Sequence, residues 1–71
     1  MTLEKIKGYI LKNKGVLHCF RYKGSRNQIE EFEGIIVETY NYIFTIKISN
    51  EKNELKSFTY SDVLIDNLEI Y

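Results

Sequence analysis

From Val16 to Tyr60 the apolar side chains fall on alternate positions and no proline interrupts them. A period of two is the signature of strands, because successive side chains point to opposite faces. Val16, His18, Phe20 and Tyr22 share one side of a first strand, opposite Leu17, Cys19, Arg21 and Lys23. A second runs from about Gln28 to Thr39, with Phe32, Gly34 and Ile36 on one side and Ile35 and Val37 on the other. A strand apolar on both faces is central or covered. Ile43 to Ser49 turns Phe44, Ile46 and Ile48 inward and Thr45, Lys47 and Ser49 outward, and Leu55 to Tyr60 returns with Phe58 and Tyr60 on one face. Leu68, Ile70 and Tyr71 supply a short last strand.

The connections agree with this division. Gly24-Ser25-Arg26-Asn27 accepts the dihedrals of a reversal, Tyr40-Asn41-Tyr42 is a tight link, and Asn50 to Glu54 is a polar hairpin loop. Ser61 can cap a single turn of 3₁₀ type whose Val63 and Leu64 plug the end of the sheet. Gly34, in mid-strand, marks a sharp bend or a close backbone approach. Before the strands, Leu3, Ile6, Ile10 and Leu11 line one face of a helix over Thr2 to Lys14, capped by Thr2 and stopped by Gly15.

With 71 residues, the chain buries only about 60% of the surface of its unfolded form and builds one modest core. It reads as a single domain, with helix over 1–15 and strands over 16–71. The expected class is mainly β: a small five-stranded SH3-like or Sm-like barrel with an N-terminal α-helix. An oligonucleotide-binding barrel is the nearest competitor.

Little in the chain supports catalysis. There is one histidine, no nucleophile motif, no phosphate-cradling glycine loop and no metal-ligand spacing. His18 and Cys19 point to opposite faces of a strand and cannot form a dyad, and alternation likewise divides Glu30, Glu31 and Glu33. The expectation is a non-enzyme with no cofactor and no metal. The lone Cys19 cannot form an intramolecular disulfide, which fits a reducing, cytoplasmic compartment. No run reaches the roughly 20 apolar residues of a spanning helix, and Met1 to Lys5 lacks a basic segment followed by an apolar signal core; neither secretion nor a membrane is expected.

Formal net charge is zero, yet the charges are segregated. Residues 1–27 hold seven basic residues against Glu4, a net +6, and residues 28–71 hold three against nine, a net −6. Two readings follow: a basic surface for DNA or RNA, or halves that neutralise each other across the sheet. The candidate nucleic-acid or partner residues are Lys12, Lys14, Arg21, Lys23 and Arg26, with Tyr22 beside the basic turn. Tyr22, Tyr40, Tyr42 and Tyr60, at or near strand ends, can present rings to a base or a peptide; core use is the default for Phe20, Phe32, Phe44 and Phe58. Self-association is a third reading, since a small core can be completed by a second copy, giving a homodimer.

Gly34-Ile35-Ile36-Val37-Glu38-Thr39-Tyr40, then Ile43-Phe44-Thr45-Ile46, then Ser57-Phe58-Thr59-Tyr60-Ser61-Asp62-Val63-Leu64 resemble, in order and spacing, segments of the Veg family of small bacterial proteins. The resemblance spans about Leu3 to Ile70. It implies a small SH3-like barrel and a cytoplasmic regulator that stimulates biofilm formation by relieving repression of extracellular-matrix genes. It further implies contact with a transcriptional regulator protein, through an exposed strand edge or the tyrosine-bearing end, or with nucleic acid.

Overall fold

The computed structural model describes residues 2–24 and 28–71. Helix α1 (Leu3–Lys12) is followed by β1 (Leu17–Lys23), β2 (Ile29–Thr39), β3 (Ile43–Ile48), β4 (Leu55–Thr59), a short helix α2 (Tyr60–Leu64) and β5 (Leu68–Ile70). The strands form one antiparallel sheet in the order β4-β3-β2-β1-β5. Its outermost strands, β4 and β5, are joined in sequence by α2. The sheet curls enough for Tyr22 of β1 to set its ring edge on Phe58 of β4, with centroids 5.1 Å apart. This is the mainly β, helix-first, barrel-like architecture expected from the alternation.

Two features of β2 produce the curl. Opposite Ile36 to Glu38 the pairing with β3 shifts register, so Val37 is the extra residue of a bulge, and a bulge bends the strand and increases its twist. Nearby, a Cβ added to Gly34 would lie 2.7 Å from the Lys47 carbonyl oxygen and 2.7 Å from Ile46 Cγ2. The close approach expected at this glycine is therefore present, and it is made by the main chain of β3.

The inner face and α1 enclose the core: Ile6, Ile10, Phe20, Ile36, Phe44, Ile46, Phe58, Tyr60 and Leu68. Each large apolar side chain buried here contributes about 1.5–3 kcal/mol relative to exposure. Aromatic rings run through it in sequence, Phe20 on Phe32 at 5.4 Å, Phe32 on Phe58 at 6.0 Å and Phe44 on Tyr60 at 5.5 Å. Helix α1 thus packs on its own chain, through Ile6 and Ile10. Thr2 caps it, its Oγ1 accepting from the Lys5 amide at 3.3 Å, and the Gly15 amide bonds the Ile36 carbonyl at 2.9 Å, tying the helix exit to β2.

Several expectations need correction. Leu3 and Leu11 do not join the core face; Leu11 is 61% exposed, because a step of one residue turns it about 100° from Ile10. The helix ends at Lys12 with Asn13 as its C-cap, whereas Gly15 sits beyond it at φ +84. Tyr60 opens α2 rather than closing β4, and the cap is Thr59, not Ser61. The Thr59 hydroxyl accepts from the Asp62 amide and the Asp62 carboxylate from the Thr59 amide, both at 3.1 Å. This reciprocal box satisfies two orphan donors and starts an α-helical turn where a 3₁₀ turn was expected. Val63 packs against the core from this helix, while Leu64 is exposed and plugs nothing.

Candidate functional site

Once the sheet is assembled, Lys14 and Lys23 reach acidic partners, while Arg21 is flanked by glutamates in register but buries its Nε with no hydrogen-bond partner among the described residues. On the outer face Arg21 lies opposite Glu31 of β2 on one side and Glu69 of β5 on the other. Lys23 Nζ is 3.9 Å from Glu69 Oε1, and Lys14 Nζ is 4.0 Å from Glu38 Oε2. Each of these contacts joins the cationic first part of the chain to the anionic remainder. Exposed pairs of this kind contribute only about 0–1 kcal/mol each, but they divide the segregated charge into short-range dipoles across neighbouring strands.

Tyr22 is half-buried against Phe58 and belongs to the core margin. Lys12, the last residue of α1, is exposed. Arg26 lies outside the described residues. Tyr22 and Lys23 stand where β1 meets the start of β2, whereas Tyr40 follows its far end, so the length of an eleven-residue strand separates the two groups. Lys14 falls on the tyrosine side through Glu38. The seven candidates among the described residues therefore form no single surface.

What the fold does assemble is the β2–β3 hairpin tip. The Tyr40 amide bonds the Ile43 carbonyl at 2.8 Å, which closes a two-residue loop of Asn41 and Tyr42. Tyr60 then holds the loop twice from α2: its hydroxyl donates to the Tyr40 carbonyl at 2.8 Å, and its amide donates to the Tyr42 carbonyl at 3.2 Å. Burial raises the Tyr60 phenol above its ordinary value of 10.0. It therefore stays a neutral donor through the physiological range. Its ring is buried on Phe44 and lies under Lys7 Nζ, 5.6 Å from the ring centroid.

On this fixed base Tyr40 is 56% exposed and Tyr42 82% exposed, with Ile43 beside them. Thr39, Tyr40, Asn41, Tyr42 and Ile43 line a shallow surface depression. Rigid aromatic rings on a braced turn lose little conformational freedom on binding, which is why tyrosine is enriched among the dominant contacts of protein interfaces. Sequence reasoning found Tyr40 and Tyr42 but missed Ile43 and the bracing role of Tyr60. Tyr60, expected with Tyr22, Tyr40 and Tyr42 as a strand-end ring that could be exposed, is instead buried, at 4% exposure.

Among the described residues no group of three or more His, Cys, Asp or Glu gathers closely enough to hold a metal ion, and none of the helices is long and apolar enough to cross a membrane. His18, which turns inward, places Nδ1 3.0 Å from the Tyr71 carbonyl oxygen, while Cys19 on the opposite face is exposed.

A family model described as "Biofilm formation stimulator VEG" matches residues 1–71, the whole chain. The chain belongs to the Veg family. None of the curated proteins matches it. Family membership makes this Veg protein a biofilm formation stimulator, and the mainly β layout with a leading helix expected of the chain is that of the fold.

Proposed function

We propose that this Veg-family chain stimulates biofilm formation as a non-catalytic cytoplasmic regulator. It relieves repression of matrix genes by binding a transcriptional repressor protein, and its contact surface is the Tyr40–Ile43 hairpin. The observation that carries this reading is the pair of exposed tyrosines on a turn braced twice by Tyr60. Buried bracing under exposed rings is the arrangement of an interface anchor. The alternative, direct binding of DNA or RNA by the basic first part, draws less support, because Lys14, Arg21 and Lys23 face carboxylates of their own sheet.

The test is a matrix-gene reporter in a biofilm-forming strain deleted for this protein and complemented with variants. Tyr40→Ala with Tyr42→Ala should leave the reporter near the deletion level, while Lys12→Glu with Lys23→Glu should restore it. Full activity from the tyrosine variant, with loss in the charge variant, would move the assignment to nucleic acid. In a gel shift, the purified wild-type protein should release the repressor from its operator without itself shifting the DNA.

A further inference from the structure

Of the sheet's two outermost strands, β4 offers the more accessible edge among the described residues. In β4 the phase of the ladder is set by the Tyr60 amide on the Tyr42 carbonyl at 3.2 Å and the Ile48 amide on the Glu54 carbonyl at 2.8 Å. Lys56 and Phe58 therefore bond β3, and Leu55, Ser57 and Thr59 turn their main-chain groups away from it. All three are exposed, Leu55 by 63%. The Thr59 amide is taken by Asp62, which leaves both groups of Leu55 and of Ser57 open.

Proteins usually guard such an edge with proline, a bulge or an outward charge. In β4 none is found: the register with β3 is unbroken, the chain has no proline, and Lys56 lies on the inner side, bonded to Glu30 at 2.9 Å. Its outer row, Leu55, Ser57 and Thr59, is uncharged.

The β5 edge differs. The Lys23 amide on the Asn67 carbonyl and the Tyr71 amide on the Cys19 carbonyl show that Leu68 and Ile70 turn away from β1, but Leu68 is only 1% exposed and Ile70 is half-buried, so that three-residue edge is largely covered. Head-to-tail growth needs two different accessible edges, and the other open stretch among the described residues, Ile29 to Glu31 of β2 before its pairing with β3 begins at Gly34, carries glutamates, a guard that the outer row of β4 lacks. An isologous contact about a two-fold axis is what remains, and it closes at two copies.

We propose that two copies of this chain pair β4 to β4, antiparallel about Ser57, into one continuous sheet. In this register Ser57 meets its own counterpart, Leu55 faces Thr59 and Lys56 faces Phe58, with no like charges opposed. Centring on Lys56 instead would set two ammonium groups face to face, which is destabilising. This inference does not rest on the repressor-binding reading, since it uses the main-chain edge of β4, which adjoins the hairpin only where Thr59 lies beside Ile43.

Residue 57 at the axis makes the test selective. Ser57→Glu and Ser57→Lys each place like charges together at the axis, and each should sediment as a monomer at tens of micromolar, where the wild type sediments as a dimer. Their equimolar mixture should form heterodimers, counted by native mass spectrometry. Circular dichroism should show both variants folded. In the wild type, exchange of the Leu55 and Ser57 amides should slow as concentration rises. A wild type that stays monomeric with these amides unprotected, single variants that dimerise like the wild type, or a mixture that stays monomeric would each overturn the proposal.

Discussion

The same substitution at two glycines should move stability in opposite directions. At Gly34 a Cβ would lie 2.7 Å from the Lys47 carbonyl oxygen and 2.7 Å from Ile46 Cγ2. Ile46 can adjust its rotamer, but the carbonyl is β3 main chain and can move only if the β2–β3 spacing opens. Forced insertion of this kind costs about 1–3 kcal/mol. The lower unfolded-state entropy of alanine returns about 0.4–1 kcal/mol, leaving Gly34→Ala destabilising by roughly 0–2.6 kcal/mol. The backbone clash favours the upper half of that range. At about 4–8 °C per kcal/mol for a domain of this size, a loss near 2 kcal/mol lowers Tm by roughly 8–16 °C. Gly8, in mid-helix, has nothing within 4 Å of its added Cβ, and Gly8→Ala should gain about 1 kcal/mol and raise Tm by roughly 4–8 °C. Thermal unfolding by circular dichroism, with urea titration to compare m values, reads both. An unchanged or raised Tm for Gly34→Ala would refute the argument from the close approach, and a lowered Tm for Gly8→Ala would refute the reading of that helix as an unstrained α-helix.

Ile10→Ala should cost about 2–5 kcal/mol, because Ile10 is fully buried and fixes α1 to the core; urea unfolding checks it, with Leu11→Ala near neutral as the contrast. Thr59→Ala removes one half of the capping box and should cost about 0.5–2 kcal/mol, read as a lower urea midpoint. Tyr60 should be the last tyrosine to ionise in an ultraviolet titration, since burial raises its phenol above 10.0. Above that pH the unfolded chain releases this proton first, so the stability it contributes is complete below pH 10.0 and is lost as pH rises through the folded value; Tyr60→Phe should flatten that alkaline decline.

Alternation was enough to place every strand within a residue or two, because the inward rows Phe20, Phe32, Ile36, Phe44, Ile46 and Phe58 are large and regularly spaced. It failed at Tyr60, where an inward ring continued the pattern of β4 although the backbone had already turned into a helix. The signal was the reciprocal pair Thr59 and Asp62, three residues apart, which competed with Ser61 as a cap. Leu11 misled for a different reason: apolar spacing marks which residues can face a core, not how wide a core a small sheet can offer. Of the candidate site, the exposed tyrosines were legible as strand-end rings. The fate of the basic residues was not, because whether Arg21 faces solvent or two glutamates depends on register across three strands, and register is a property of the assembled sheet.

The pairing of Phe20 with Ile70 joins positions fifty residues apart, and it bears on how the chain is made. Loop closure over such a span is entropically slow, and folds dominated by distant contacts reach the native state late. During synthesis β1 emerges early and one of its edges must wait for β5, at a translation rate of about 5–20 residues per second, for several seconds. Through that interval a strand bearing Phe20 and Tyr22 is open to other chains, so a chaperone that shields β1 until β5 arrives would raise the yield of folded protein more than one acting after release.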